Sequence, residues 1–243
     1  MTKHVVALSG GKDSTAMALR LIETEPRDYK FVITPTGDEL PDMVAHWNRL
    51  EGLLETPLTR LPAPTLRDTI EHFQMLPNHR SRFCTRVIKL EPFYAWLAEQ
   101  EPCISYVGLR ADEETRPGMV FSENEMADTT LRFPLREWGW GIKEVVAYLD
   151  KRGVCIPERT DCARCYAQRL GEWHRLWEKH PDIYADAEDQ EERISRTRRK
   201  QYTFRSPSRD TWPASLRDLR KEFEKGRVPR AYGGGPKCRV CSL

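Results

Sequence analysis

Ser9-Gly10-Gly11-Lys12-Asp13-Ser14 follows directly on the apolar run Val5-Val6-Ala7-Leu8 and brings together residue types that hold phosphate. Adjacent glycines let the backbone approach an anion, and the N–H groups of a helix starting just after them point at it. Lys12 adds a point charge against phosphate oxygens, while the amides of Gly10 to Ser14 add directional donors. This is not the Gly-x-x-x-x-Gly-Lys-Ser/Thr loop, whose cradle is longer and whose lysine precedes a metal-holding hydroxyl. A plain turn with a Ser or Asp helix cap is the alternative reading of the same six residues. Asp13 either holds Mg²⁺ beside the phosphates through hard carboxylate oxygens or caps the helix, and a pyrophosphate site fits the first role better.

Cysteines supply the second chemistry. Cys162-Ala163-Arg164-Cys165 and Cys238-Arg239-Val240-Cys241 are both C-x-x-C pairs, which together make a four-thiolate zinc or iron–sulfur site plausible. Their separation far exceeds that of a zinc ribbon, so folding has to bring them together, and Gly233-Gly234-Gly235-Pro236 gives the second pair freedom to reach. Cys84 is a fifth candidate, and unligated redox thiols are the remaining option. Cys103, in a strand-like run, reads as a buried apolar filler.

Charged groups complete the set. Asp38 follows Gly37 at a strand end, where an acid meets a ribose hydroxyl or Mg²⁺, or is simply a solvated turn acid. Arg110 and Arg116 flank Asp112, Glu113 and Glu114. Two guanidinium groups suit a phosphate or sulfate dianion; the alternative is surface pairing with those acids.

In order, these segments resemble the PP-loop ATP pyrophosphatase / phosphoadenosine phosphosulfate (PAPS) reductase family. The matching stretches are Ser9 to Ser14, Phe31 to Glu39, Arg82 to Pro92, Tyr106 to Arg116 and Phe133 to Trp138, so the resemblance covers about residues 4–170. It implies an adenine-nucleotide-alpha-hydrolase-like, Rossmann-like α/β fold that binds ATP or an adenylyl sulfate with Mg²⁺. The nucleotide set it implies is Ser9, Gly10, Gly11, Lys12, Asp13, Ser14, Thr36, Gly37, Asp38, Arg82, Lys89, Gly108, Arg110 and Arg116. Lys12, Asp13 and Arg110 are its catalytic members. Arg86, between two of these, reads equally well as a solvated helix residue.

In cluster-bearing adenylyl-sulfate reductases a Cys-Cys pair at the position of Phe83-Cys84 joins a later C-x-x-C. Here phenylalanine replaces the first cysteine. Cys84, Cys162 and Cys165 are then the natural ligands of a [4Fe–4S] cluster, with Zn²⁺ as the alternative metal. The fourth place is open to Cys155, Cys238, Cys241 or an exogenous ligand such as sulfide or substrate. The loop is intact, whereas reductases of the family carry a degraded version. The resemblance therefore implies adenylation with release of pyrophosphate, followed by sulfur transfer. The alternatives are a thiol-dependent (phospho)adenylyl-sulfate reductase releasing sulfite and a non-catalytic nucleotide or nucleic-acid binding module. The reductases' Glu-Cys-Gly-Leu/Ile-His context is missing around Cys238 and Cys241. The implied partners are a small nucleotide and a sulfur donor or thiol reductant.

The elements that must position these groups follow the pattern of a parallel sheet covered on both faces. Strand-like runs at about residues 4–8, 30–35 and 104–109 alternate with helical spacing, and a weaker strand lies around Thr56–Arg60. Met43, Trp47, Leu50 and Leu54 share one helical face, as do Ile142, Val145 (or Val146) and Leu149. In such sheets ligands bind beyond the carboxyl ends of the strands, so the Ser9, Gly37 and Leu109 segments are expected to converge.

A nucleotide-binding domain over 1–170 and a helical, cysteine-bearing extension over 171–243 are the expected division of the 243 residues. The formal charge of +2 predicts no general affinity for nucleic acid. Arg193 to Lys200 is the one basic stretch; it reads either as a track for nucleic acid or, since it follows Glu188, Asp189, Glu191 and Glu192, as part of a solvated mixed helix. No apolar run is long enough for a membrane span, and no secretory pattern precedes the first strand, so a cytoplasmic protein is expected. There, thiols and metal ligands are the expected state of seven cysteines.

Overall fold

A computed structural model of the chain describes residues 2–113, 115–116 and 126–230. Five strands, β1 (Lys3–Ala7), β2 (Tyr29–Ile33), β3 (Thr59–Arg60), β4 (Cys103–Val107) and β5 (Thr129–Arg132), form one sheet in the order β3-β2-β1-β4-β5. Every neighbouring pair is parallel. The chain builds outward from β1 through β2 to β3, then crosses to β1's other edge with β4. The reversal point lies between β1 and β4, where a ligand crevice opens at the carboxyl end.

Alternation along β1 explains its unbroken apolar run. Val6 and Leu8 belong to one buried cluster with helices α1 (Lys12–Thr24), α2 (Pro41–Leu54) and, after β5, the helix at Ile142–Lys151. Val5 and Ala7 face the opposite cluster, with Phe93 and Leu97 from the helix at Glu91–Ala98. Both faces are covered, as parallel sheets require. Of the two valines left open for the helix at Ile142–Lys151, Val145 is the buried one and Val146 is exposed. Cys103 is buried in the sheet, as expected of a filler.

The remaining helices in chain order are α3 (Leu66–Phe73), α4 (Glu91–Ala98), α5 (Pro134–Glu137), α6 (Ile142–Lys151), α7 (Leu170–Lys179), α8 (Pro181–Thr197) and α9 (Leu216–Glu224), with a π-helix over Thr85–Leu90. Residues after 170 share their core with the preceding part. Leu66, Ile70, Phe83 and Ile88 pack in one cluster with Trp173, Tyr184, Ile194 and Phe223. Glu191, buried on α8, accepts the backbone N–H groups of Phe204 (3.0 Å) and Leu216 (2.7 Å), which ties α9 to α8. This cluster has members on both sides of residue 170. Among the described residues no helix is long and apolar enough to cross a membrane.

Candidate nucleotide site at the carboxyl edge of the sheet

The Ser9–Ser14 loop leaves β1 at the reversal point and enters α1, with Gly11 as the N-cap in extended conformation. Gly10 has φ +78°, a conformation that L side chains rarely adopt. The loop is gripped from behind by α2. Trp47 donates its indole N–H to Ser9 O (3.2 Å), and His46 Nε2 donates to Gly10 O (3.0 Å). Inside the loop, Ser14 Oγ accepts from Ser9 N (3.2 Å), and Gly11 N donates to Ser9 Oγ (3.2 Å). The carbonyls thus face inward. The amides of Lys12, Asp13 and Ser14 form the first helical turn, where no intrahelical acceptor exists, and they are the donors an anion would use.

His46 is a loop anchor that no sequence signal marked. Burial, then the nearby Arg49 charge, pushes its pKa down from 6.5 to about 4. With Nε2 bonded to Gly10 O, Nδ1 is buried without a partner among the described residues, so the neutral ring is the stable form. The unfolded chain binds a proton here below about pH 6.5 and the folded chain only below about 4, so stability is lost as pH falls through that window. His46→Gln retains an N–H donor but does not titrate. Urea unfolding at pH 7 and pH 5 should show a smaller acid loss for the variant than for the wild type. Equal losses would remove His46 from this account.

At the loop mouth, Asp13 Oδ2 joins Lys12 Nζ (3.0 Å) and Arg110 Nη1 (2.9 Å). Arg110 also donates through Nε to Asp112 (2.7 Å), and Arg116 pairs with Glu113 (2.9 Å). The acidic turn therefore holds both arginines in place, and Asp13 draws one of them to the loop. Asp13 Oδ1 is buried and has no hydrogen-bond partner among the described residues. A hard, orphaned carboxylate oxygen beside two cations and a helix N-terminus fits Mg²⁺ bound with pyrophosphate. Gly108 lies under α1, where a Cβ would stand 3.1 Å from the Ser14 backbone, so glycine lets the helix start approach β4.

The β2 turn departs from expectation. Asp38 is buried, its Oδ1 accepting from Arg164 Nε (2.6 Å) and its Oδ2 from Arg164 N (3.0 Å). Ala163 N donates to Asp38 O (2.7 Å). Both residues between Cys162 and Cys165 are therefore seated on Asp38. Asp38, expected at a ribose hydroxyl or Mg²⁺, stands here in a buried ion pair with Arg164. Thr36 is bonded within the protein as well. Its hydroxyl donates to Glu39 (2.7 Å) and accepts from Asp38 N (3.3 Å) and from the Cys162 thiol (3.4 Å). Gly37, at φ +67°, packs on Thr65, where a Cβ would meet a side-chain carbon at 2.8 Å.

Arg82 opens the turn into the π-helix, its carbonyl accepting from Thr85 N (3.1 Å), and Lys89 lies on that helix. Arg86 pairs with Glu91 on the surface, in keeping with a solvated residue. A small pocket lined by Ser9, Thr34, Glu39, Lys89, Thr160 and Cys162 links the phosphate loop to the first cysteine of the C-x-x-C. Glu39, Thr160, Arg164, His46 and the indole role of Trp47 went unread in the sequence. The partners of His46, Trp47 and Arg164 lie 36, 38 and 126 residues away, and only the fold brings them together.

The thiolate cluster is a different matter. Cys84 and Cys162 are partly buried against the C-terminal hydrophobic cluster, and Cys165 is buried. Among the described residues no group of three or more Cys, His, Asp or Glu side chains is gathered to hold a metal ion. Cys238 and Cys241 lie outside the described residues. The described cysteines alone therefore do not form the site expected for [4Fe–4S] or Zn²⁺.

Comparison with known proteins places this arrangement. The chain shares the fold of PAPS reductase from Candida auris, solved as a phosphate complex (TM-score 0.50, 16% identity, 65% of this chain and 76% of that one). It shares it equally with the U34-tRNA thiolase NcsA from Methanococcus maripaludis, solved with its [4Fe–4S] cluster (TM-score 0.51, 18% identity, 80% and 73%). An uncharacterized protein of Methanocaldococcus jannaschii is 22% identical over 193 residues, covering 74% of this chain. The chain spans only 39% of that relative's length. The model of the phosphoadenosine phosphosulfate reductase domain matches residues 3–173, from β1 into α7, and the chain belongs to that family.

Proposed function

We propose that this chain is an ATP-dependent adenylating enzyme that prepares an acceptor for sulfur transfer. An acceptor oxygen attacks the α-phosphorus, the α–β P–O bond breaks, and pyrophosphate leaves with its electrons on the α–β bridging oxygen. The acceptor is left as an AMP ester. A sulfur donor at the sulfide level then displaces AMP at the acceptor carbon. Lys12 and the first amides of α1 bind the leaving pyrophosphate, while Arg110 and Arg116 balance charge on the phosphate chain. Mg²⁺, held through Asp13 Oδ1, would neutralise charge on the polyphosphate.

The observation that carries this reading is the complete loop, whose carbonyls are tied back by Trp47 and His46 so that its amides face the crevice. The pocket shared by Ser9, Lys89 and Cys162 supports sulfur chemistry beside the nucleotide. Family membership also supports a second reading, thiol-dependent reduction of a (phospho)adenylyl sulfate to sulfite.

Incubation with ATP, Mg²⁺ and a panel of oxygen acceptors separates the two. Acceptor-dependent pyrophosphate release is expected. Sulfite release from adenylyl sulfate and a thiol, with no ATP turnover, would overturn the first reading in favour of the second.

A further inference from the structure

The two arginines assigned to the phosphate chain stand on the turn that follows β4. Its backbone is held from the α5–α6 segment. Arg136, on α5, donates through Nη2 to Glu113 O (2.8 Å) and Arg116 O (2.6 Å), and through Nε to Arg110 O (3.5 Å). One guanidinium thus reaches the carbonyls of both arginines and of the acid between them. Its donors suit this task, since they are fixed in a plane and cannot be lost by deprotonation.

Arg136 is itself fixed. Its guanidinium lies over the Phe133 ring at 5.4 Å from the centroid, and its N–H donates to Phe133 O (2.9 Å). Two further contacts join the same surfaces: Ala111 N donates to Trp140 O (2.9 Å), and Asp112 Oδ2 accepts from Ile142 N (3.0 Å). Arg136 approaches the turn from behind, through carbonyls, whereas the Arg110 side chain points to Asp13 at the loop mouth.

We infer that Arg136 is a positioning residue for polyphosphate binding, acting by holding the 110–116 turn so that Arg110 and Arg116 meet the phosphate chain. The inference rests on the nucleotide reading above. It makes a claim that a merely structural role does not. Loss of Arg136 should weaken ligands in proportion to their phosphate charge and leave the adenosine moiety alone.

The test is titration of wild type, Arg136→Ala, Arg136→Lys and Arg110→Ala with ATP and with adenosine, in Mg²⁺, alongside thermal melts. The preference for ATP over adenosine should fall by about tenfold or more in Arg136→Ala, the scale of losing charge-assisted contacts. Arg136→Lys keeps the charge with fewer fixed donors and should fall between. It also serves as the probe if the alanine variant does not fold. Because Arg136 acts through Arg110 and Arg116, adding Arg136→Ala to Arg110→Ala should cost less than the sum of the two single changes. An unchanged ATP-to-adenosine ratio, or equal loss of both ligands, would overturn the inference while leaving the nucleotide site intact. Wild-type protein that does not prefer ATP to adenosine would overturn the nucleotide reading itself.

Discussion

Gly10→Ala is expected to abolish adenine-nucleotide chemistry while leaving the sheet folded. A Cβ at this position would stand 2.4 Å from Met43 Cε and 2.7 Å from Trp47 Nε1. Met43 can swing aside. Trp47 cannot do so without giving up its hydrogen bond to Ser9 O, since the indole is buried against the core. The backbone adds its own cost, because a left-handed conformation at φ +78° penalises alanine by roughly 1–2 kcal/mol. Overpacking adds about 1–3 kcal/mol more. The loop relieves both by moving, and a shift of about 1 Å in groups that orient a reacting phosphate costs on the order of a hundredfold in rate. The check is pyrophosphate release beside a thermal melt. Gly11→Ala is the comparison for folding: Gly11 has φ −70° and its nearest new contact is Ser9 Oγ at 3.3 Å, so this variant should melt close to the wild type. Equal activity of Gly10→Ala and wild type would show that the loop geometry does not matter.

Asp38→Ala should unfold the protein at markedly lower denaturant. Arg164 is almost fully buried, and its Nε and backbone N–H both end on the Asp38 carboxylate. Removing one partner of a buried pair leaves an uncompensated charge, at a cost of about 3–5 kcal/mol. Gln190 (3.1 Å) and Asp186 (2.8 Å) also hold the guanidinium, which argues for the lower part of that range. The break would also release the C-x-x-C from its seat and so alter the Cys162 thiol, now on Thr36. Urea unfolding and the rate of thiol alkylation with and without ATP would both register it. A variant with wild-type stability that has lost only nucleotide binding would restore Asp38 to the ribose or metal role expected from its place at a strand end.

These two positions show where the sequence was legible. The Ser9–Ser14 loop could be read because its chemistry is local: an apolar strand, two glycines, a lysine and a helix follow one another without a gap. β3 gave a weak signal because it is two residues long, and β5 gave none because Thr129-Thr130-Leu131-Arg132 forms a partly exposed edge. The pairing of Asp38 is not legible in the sequence, because its partner Arg164 is 126 residues away. Arg136 lies within the Phe133 to Trp138 stretch with nothing local to mark it. Its work is done on carbonyls 20, 23 and 26 residues earlier, which no spacing rule reaches.

Equilibrium titration with ATP and Mg²⁺, with pyrophosphate as competitor, tests the central claim most directly. Wild-type protein should bind ATP and release it to pyrophosphate. Lys12→Ala, which removes the point charge at the loop mouth and frees Asp13 from one of its two cations, should lose measurable binding. ATP binding by Lys12→Ala equal to that of the wild type would mean that the nucleotide sits elsewhere on the molecule.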